Sequence, residues 1–344
     1  MNTIKISSQI RYWDQNPTRR ISATDRNGRT IEVAYFPLAQ FTGYSKHYPL
    51  PLLYSYKNKK LFLPLREKFM SLDRGTVYEV GDMFFEDELP EVQKTVDIPM
   101  FYFVYNMANY YHFIYDTLPY LFSYFNEKRI HPDMKLLVSP PEGQDDLYPF
   151  VWDSLNMLGI TRDDVVFLDP EVMYNRVCVS SSLTHNGLSN CPPHRGVFDI
   201  LNSMKSDYVG PEKIYISRRT WVHNKKDNIG TDYTERRRCV NEDQVAQIFK
   251  LYGFQEIFCE NLTMEEKIGM FRTAKYIAGP IGGGMCNTIF SPPDTKVMSI
   301  NSPTFMDVNL RFAYSMVHTD LFNFEHTEFV DKQEESVESE GSLS

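Results

Sequence analysis

The chain has 344 residues, of which 42% are hydrophobic and 24% charged, the proportions of a soluble globular protein with room for two ordinary domains. A net charge of −9 argues against general affinity for nucleic acid, and no apolar run approaches the ~18 residues that a membrane helix needs. Cys178, Cys191, Cys239, Cys259 and Cys286 are an odd set without CxxC spacing, which reads as reduced thiols in a cytosolic compartment.

Residues 1–98 read as short strands and turns, with apolar and aromatic residues over Thr30–Pro37, Pro51–Leu65 and Thr76–Phe85. From Ile98 the pattern changes to strand at 98–105, helix at 109–126, strand at 135–139, helix at 145–158 and strand at 165–168. A loop over 180–193 precedes a helix at 197–206. The last third is clearest: strand 213–217, helix 241–252 with Asn241 as N-cap, strand 254–259, helix to Thr273, strand 275–278 and strand 296–300. Thr263 and Glu266 form a capping box for the helix ending at Thr273. This alternation predicts an α/β fold with parallel sheets and right-handed crossovers. The expected domains are 1–205, strand-rich to residue 98 and α/β beyond it, and 206–305. A helix over 307–324 is expected to lead the 306–330 segment back onto the first domain. The acidic tail, 331–344, lacks aromatic residues and is expected to be disordered.

Three motifs carry chemistry. Gly279-Pro-Ile-Gly-Gly-Gly-Met-Cys-Asn287 follows a strand and precedes an apolar run. Glycines there let the backbone approach an anion at a helix N-terminus, although such turns also serve packing alone. Arg218 and Arg219 end the strand 213–217, again at a carboxyl edge, where guanidinium forks suit a diphosphate. Glu260 follows the strand 254–259, a position from which an acid commonly accepts from ribose hydroxyls. Arg236, Arg237 and Arg238 read as a solvated face.

The third motif is Asn109-Tyr-Tyr-His-Phe-Ile-Tyr-Asp-Thr-Leu-Pro119. On a helix His112 and Asp116 are neighbours on one face, with Asn109 as N-cap and Pro119 as a kink or stop. The pair is either an acid–base unit or a mutually satisfied polar pair beside aromatic core. No P-loop, HExxH, GxSxG or GxGxxG occurs, and no Asp-x-Asp.

In this order the motifs resemble glycosyltransferase family 61: NYYHFIYDTLP (109–119), YISRR (215–219), and NE (241–242) through GF, ENLTMEEKIGMF and GPIGGGMCNTIF (279–290). The resemblance implies a GT-B type enzyme with two Rossmann-like domains facing across a cleft. It would be an inverting, metal-independent transferase with no cofactor beyond its UDP-sugar donor. The transferred sugar would be xylose or another pentose, next N-acetylglucosamine, passed to a glycan hydroxyl. By position it sets Arg218, Arg219, Glu260, Gly282, Gly283, Gly284 and Asn287 against the donor, and His112 and Asp116 on the acceptor-side domain. The pair is expected to be catalytic and to supply the base, Asp116 being the proton acceptor if His112 orients substrate instead. Asn109 and Tyr111 fall on the acceptor side, and no metal site is expected. The family usually has His where this chain has Ile281, so a catalytically inactive nucleotide-sugar-binding protein of the same fold is the alternative. With no anchor in the sequence, a soluble cytoplasmic enzyme of a bacterium or virus-infected cell is expected.

Overall fold

The computed structural model describes residues 2–6, 18–26, 28–43, 51–57, 60–62, 85–104, 106–184, 193–219, 237–301, 321–325 and 329–331. The expected strand at Thr76–Phe85 falls almost wholly outside these residues, as do Cys191, Arg236, most of the 306–330 segment and the acidic tail. Two compact units emerge. The first comprises 1–107, 112–147 and 158–200, and the second 108–111, 148–157 and 201–344. The main crossing between the units falls at 200/201, and Asn109 and Tyr111 go with the second unit.

The strands of the first unit are β1 (Asn2–Ile6), β2 (Thr18–Thr24), β3 (Thr30–Phe41), β4 (Leu53–Ser55), β5 (Lys60–Phe62), β6 (Phe85–Leu89), β7 (Lys94–Val96), β8 (Met100–Tyr102), β9 (Lys135–Val138), β10 (Val165–Phe167) and β11 (Val172–Ser180). Its main sheet runs β10-β9-β8-β11-β3-β4-β5, with β2 on β3 and β7 on β11. The β10, β9, β8 and β11 pairings are parallel, while β3 meets β11, β2 and β4 antiparallel. The sheet is therefore mixed, α/β at one end and meander-like at the other. Phe101, Leu136, Leu137 and Val138 are fully buried, as parallel strands with two covered faces require.

The predicted helix 109–126 is broken into three geometries. After α1 (Tyr110–His112), a π turn spans Phe113–Thr117, a 3₁₀ turn spans Leu118–Tyr120, and α2 runs Leu121–Lys128. Pro119 accounts for the tightened turn, because it has no N–H to continue an α ladder. α3 (Pro149–Met157) and α4 (Gly196–Ser203) follow.

In the second unit the strands are β12 (Lys213–Ile216), β13 (Arg237–Cys239), β14 (Gln255–Ile257), β15 (Tyr276–Pro280), β16 (Lys296–Asn301), β17 (Leu321–Glu325) and β18 (Phe329–Asp331), with helices α5 (Glu242–Leu251) and α6 (Met264–Thr273). The sheet order is β14-β12-β15-β16-β17, parallel throughout. The predicted capping box at α6 is present: Thr263 Oγ1 accepts from Glu266 N, and Glu266 accepts from Thr263 N at 2.8 Å. Two expectations need correction. Asn241 does not cap α5 with its side chain, because its Oδ1 accepts from Cys239 Sγ instead. The end of the predicted helix 307–324 is strand, since Leu321–Glu325 supplies β17 along β16. Phe322 and Phe324 alternate with Asn323, the period of a strand rather than of a helix. Among the described residues no helix is long and apolar enough to cross a membrane.

Candidate functional site

Numbered along the chain, β12, β14, β15, β16 and β17 lie in the order 2-1-3-4-5. That is a doubly wound sheet whose direction of winding reverses between β12 and β15, the place where such sheets open a ligand crevice at their carboxyl edge. Ser217 and Arg218 leave β12 at that edge, and Gly282–Gly284 leave β15 beside them.

The glycines differ in what they do. A Cβ on Gly279 would lie 2.5 Å from Ile216 O, one on Gly284 would lie 2.8 Å from Ile216 Cγ2, and one on Gly282 would collide with Arg218 Nη1. These three let β15 and its turn pack against β12 and let the Arg218 side chain cross under the turn. Gly283 is different, since among the described residues a Cβ there would meet nothing closer than Tyr110 Cδ1 at 4.0 Å. Gly283–Phe290 then forms a 3₁₀ helix, whose first N–H groups have no partner within the helix.

Arg218 is half-buried and donates from Nη1 to Ile281 O at 2.6 Å. Burial pulls its pKa down and the carboxylates of Glu242 and Glu260 oppose this; the guanidinium remains a cation. Ile281 itself is buried, so only its carbonyl takes part. Glu242, at the first position of α5, accepts from Arg218 N (2.7 Å), Tyr215 OH (3.3 Å) and Ser217 Oγ (3.4 Å) through Oε1. Its Oε2 has no hydrogen-bond partner among the described residues. Burial raises the Glu242 pKa, against the pull of the Arg218 amide. Sequence reading passed over Glu242 as a binding or positioning group. The available signal was an acid in the first turn of a helix that follows a carboxyl-edge arginine pair.

Two expected donor ligands are already committed. Arg219 spends Nε and Nη2 on Glu256, at 2.9 and 2.7 Å, and Nη1 on Asp243. Its pKa is raised, chiefly by Glu256. Asn287 is buried, donates to Gly284 O at 2.9 Å and accepts from Tyr110 OH at 2.5 Å. It holds the turn together. Glu260 is half-buried in the 3₁₀ turn Cys259–Asn261, where its charge reaches Arg218 and Lys267.

In the first unit, His112 at the end of α1 and Asp116 in the π turn are one helical turn apart and meet. His112 Nδ1–H donates to Asp116 Oδ2 at 2.7 Å, with the imidazole 38% exposed and the carboxylate at 0%. Asp116 Oδ1 accepts from Thr184 Oγ1 at 3.2 Å, a partner the sequence did not suggest because it lies far along the chain. With Nδ1 committed as donor, Nε2 is left as the acceptor of the neutral imidazole. Asn109 immediately precedes α1, and Tyr111 is half-buried on it.

The sequence model of the family Glycosyltransferase 61 matches residues 110–298, more than half of the chain. The chain belongs to glycosyltransferase family 61. No curated protein matches it. As a family 61 glycosyltransferase it takes a sugar from a donor and gives it to an acceptor glycan. The matched region contains both constellations, Arg218 with the glycine turn and the His112–Asp116 pair. It begins at Tyr110, which ties Asn287 into the turn. In chemical terms the first constellation offers a guanidinium and helix-end N–H groups to an anion. The second offers an oriented imidazole nitrogen to a proton.

Proposed function

We propose that this family 61 glycosyltransferase is an inverting, metal-independent enzyme of the GT-B type that moves a sugar from a UDP-sugar to a glycan hydroxyl. Xylose or another pentose is the first choice of sugar and N-acetylglucosamine the next. The observation that carries the reading is the second unit's winding order, whose switch point holds Arg218 and the glycine turn together. Arg218, with the N–H groups that open the 3₁₀ helix, would meet the diphosphate, Glu260 would accept from the ribose, and no Asp-x-Asp occurs in the chain. Cys178, Cys239, Cys259 and Cys286 are buried thiols, which suit a reducing compartment such as the cytoplasm.

His112 is the base in this scheme and Asp116 the residue that orients it. Nε2 takes the proton of the acceptor hydroxyl as its oxygen attacks the anomeric carbon, from the face opposite UDP. The bond between anomeric carbon and diphosphate oxygen breaks, and its electron pair leaves with UDP. Asp116 fixes the tautomer and stabilises the imidazolium as it forms; a base of this kind contributes about 10²–10⁴-fold. The test is incubation of the protein with a panel of UDP-sugars and measurement of UDP release by hydrolysis and by transfer. Release from one donor, lost in His112→Ala, supports the reading. Intact donors across the panel after long incubation with glycan acceptors would refute it.

A further inference from the structure

Lys267 stands at the fourth position of α6 and is 1% exposed, yet among the described residues no carboxylate pairs with it. Its Nζ lies over the Tyr110 ring, 4.5 Å from the centroid, a cation–π contact that offsets only part of the cost of burying the charge. Burial lowers the Lys267 pKa, and the groups opposing it are Cys259, Cys286, Asp153 and Glu260. Both thiols are held neutral by burial, Cys259 being pushed up to about 12 and Cys286 well above its ordinary value. Among the described residues, Asp153 and Glu260 remain as the negative charges in its field.

The surroundings locate this lysine. Cys259 and Glu260 follow β14, and Cys286 follows β15, so Lys267 sits at the same carboxyl edge as Arg218. The two cations share the field of Glu260. The Tyr110 ring under Nζ is also the ring toward which the open face of Gly283 looks, 4.0 Å away. A buried ammonium without a carboxylate partner destabilises a fold, and an apolar side chain of equal size is the better structural choice. Its presence makes sense when an anion arrives to complete the cluster.

We propose that Lys267 is a second cation of the donor site, a positioning residue whose charge draws the donor's diphosphate to the glycine turn. This rests on the UDP-sugar reading above. It predicts a dissection by ligand: UDP carries the diphosphate and uridine does not.

Calorimetric titration of UDP and of uridine into the full chain, as wild type, Lys267→Met and Lys267→Gln, tests it. Lys267→Met should bind UDP about tenfold more weakly, a loss of one such step in affinity. Its affinity for uridine should be unchanged and its melting temperature equal or higher. The sign follows from linkage: a lysine whose folded pKa is lowered costs stability at neutral pH, and the cost fades as pH rises through its unfolded value of about 10.4. Equal UDP affinity in wild type and both variants would overturn the assignment, as would equal losses for UDP and uridine. Failure of both variants to fold would make the lysine structural and overturn it as well. If the wild type binds neither ligand, the UDP reading itself falls; if it binds UDP and the variants do too, only Lys267 is misassigned.

Discussion

Alanine at Gly282 and at Gly283 separates a glycine turn built for packing from one built for a ligand. At Gly282 the added Cβ meets Arg218 Nη1, the far end of a flexible side chain, so the arginine moves rather than the backbone. What is lost is the 2.6 Å bond to Ile281 O, a hydrogen bond from a charged donor, worth about 1.5–3 kcal/mol. At Gly283 no atom of the described residues lies closer to an added Cβ than 4.0 Å, and the residue already lies in a right-handed 3₁₀ segment. Removing a glycine's freedom in the unfolded chain then stabilises by about 0.4–1 kcal/mol. Thermal unfolding should therefore show Gly282→Ala below the wild type and Gly283→Ala at or above it. UDP binding should not follow stability. If the diphosphate lies against the backbone of Gly283, a methyl group there occupies the phosphate's place, and calorimetry should show a loss of about tenfold or more. A Gly283→Ala protein that is stable and binds UDP as the wild type does would refute this, leaving a turn whose glycines serve packing alone.

The other expectations concern charge and protons. His112→Ala and Asp116→Asn should each lower kcat for transfer by about 10²–10⁴-fold with UDP affinity unchanged; wild-type turnover in both would remove the pair from catalysis. Arg218→Ala should weaken UDP in calorimetry far more than Arg219→Ala, whose guanidinium is already bound by Glu256 and Asp243, and equal losses would contradict that division. His194 is buried, accepts from Gly196 N through Nδ1 and has its pKa lowered, chiefly by burial. The unfolded chain therefore takes up this proton first, and stability should fall as pH drops below the unfolded value of about 6.5. A melting series from neutral to acid pH should show a shallower decline in His194→Asn, and parallel curves would exclude the histidine.

What could be read from the chain tracks how local the determining physics is. The last third was legible because each element there is set by its own residues: KIYI (213–216) is buried strand, Thr263 and Glu266 close their box three residues apart, and the glycines mark the end of β15. β11 was missed although it joins β8 and β3 at the middle of the first sheet. Its sequence, VMYNRVCVS, interrupts the apolar run with Asn175 and Arg176, so the strand becomes visible only through its partners on both sides. The helix at 109–126 was placed correctly and described too simply. Nothing local distinguishes a π turn from an α turn, whereas the His112–Asp116 contact, four residues apart, was legible from spacing alone.

The same distinction holds within the candidate site. Residue type pointed to Arg218 and Arg219 alike, and to each glycine alike, because a motif records which groups are present and not which are already engaged. Engagement is decided by residues that are distant in sequence: Glu256 and Asp243 occupy Arg219, Tyr110 occupies Asn287, and Ile216 explains Gly279 and Gly284. Beside these stand Gly283, Lys267 over the Tyr110 ring, and Arg218, held to Ile281 O and in the field of Glu242 and Glu260. With Arg219 held by Glu256 and Asp243, Lys267 is the second cation at this edge, and its place within ENLTMEEKIGMF did not mark it as one. An anion site is therefore better sought among the groups whose structural duties do not account for them than among the groups whose chemistry merely permits it. Lys267 meets that criterion most strongly, since among the described residues no carboxylate pairs with its buried charge.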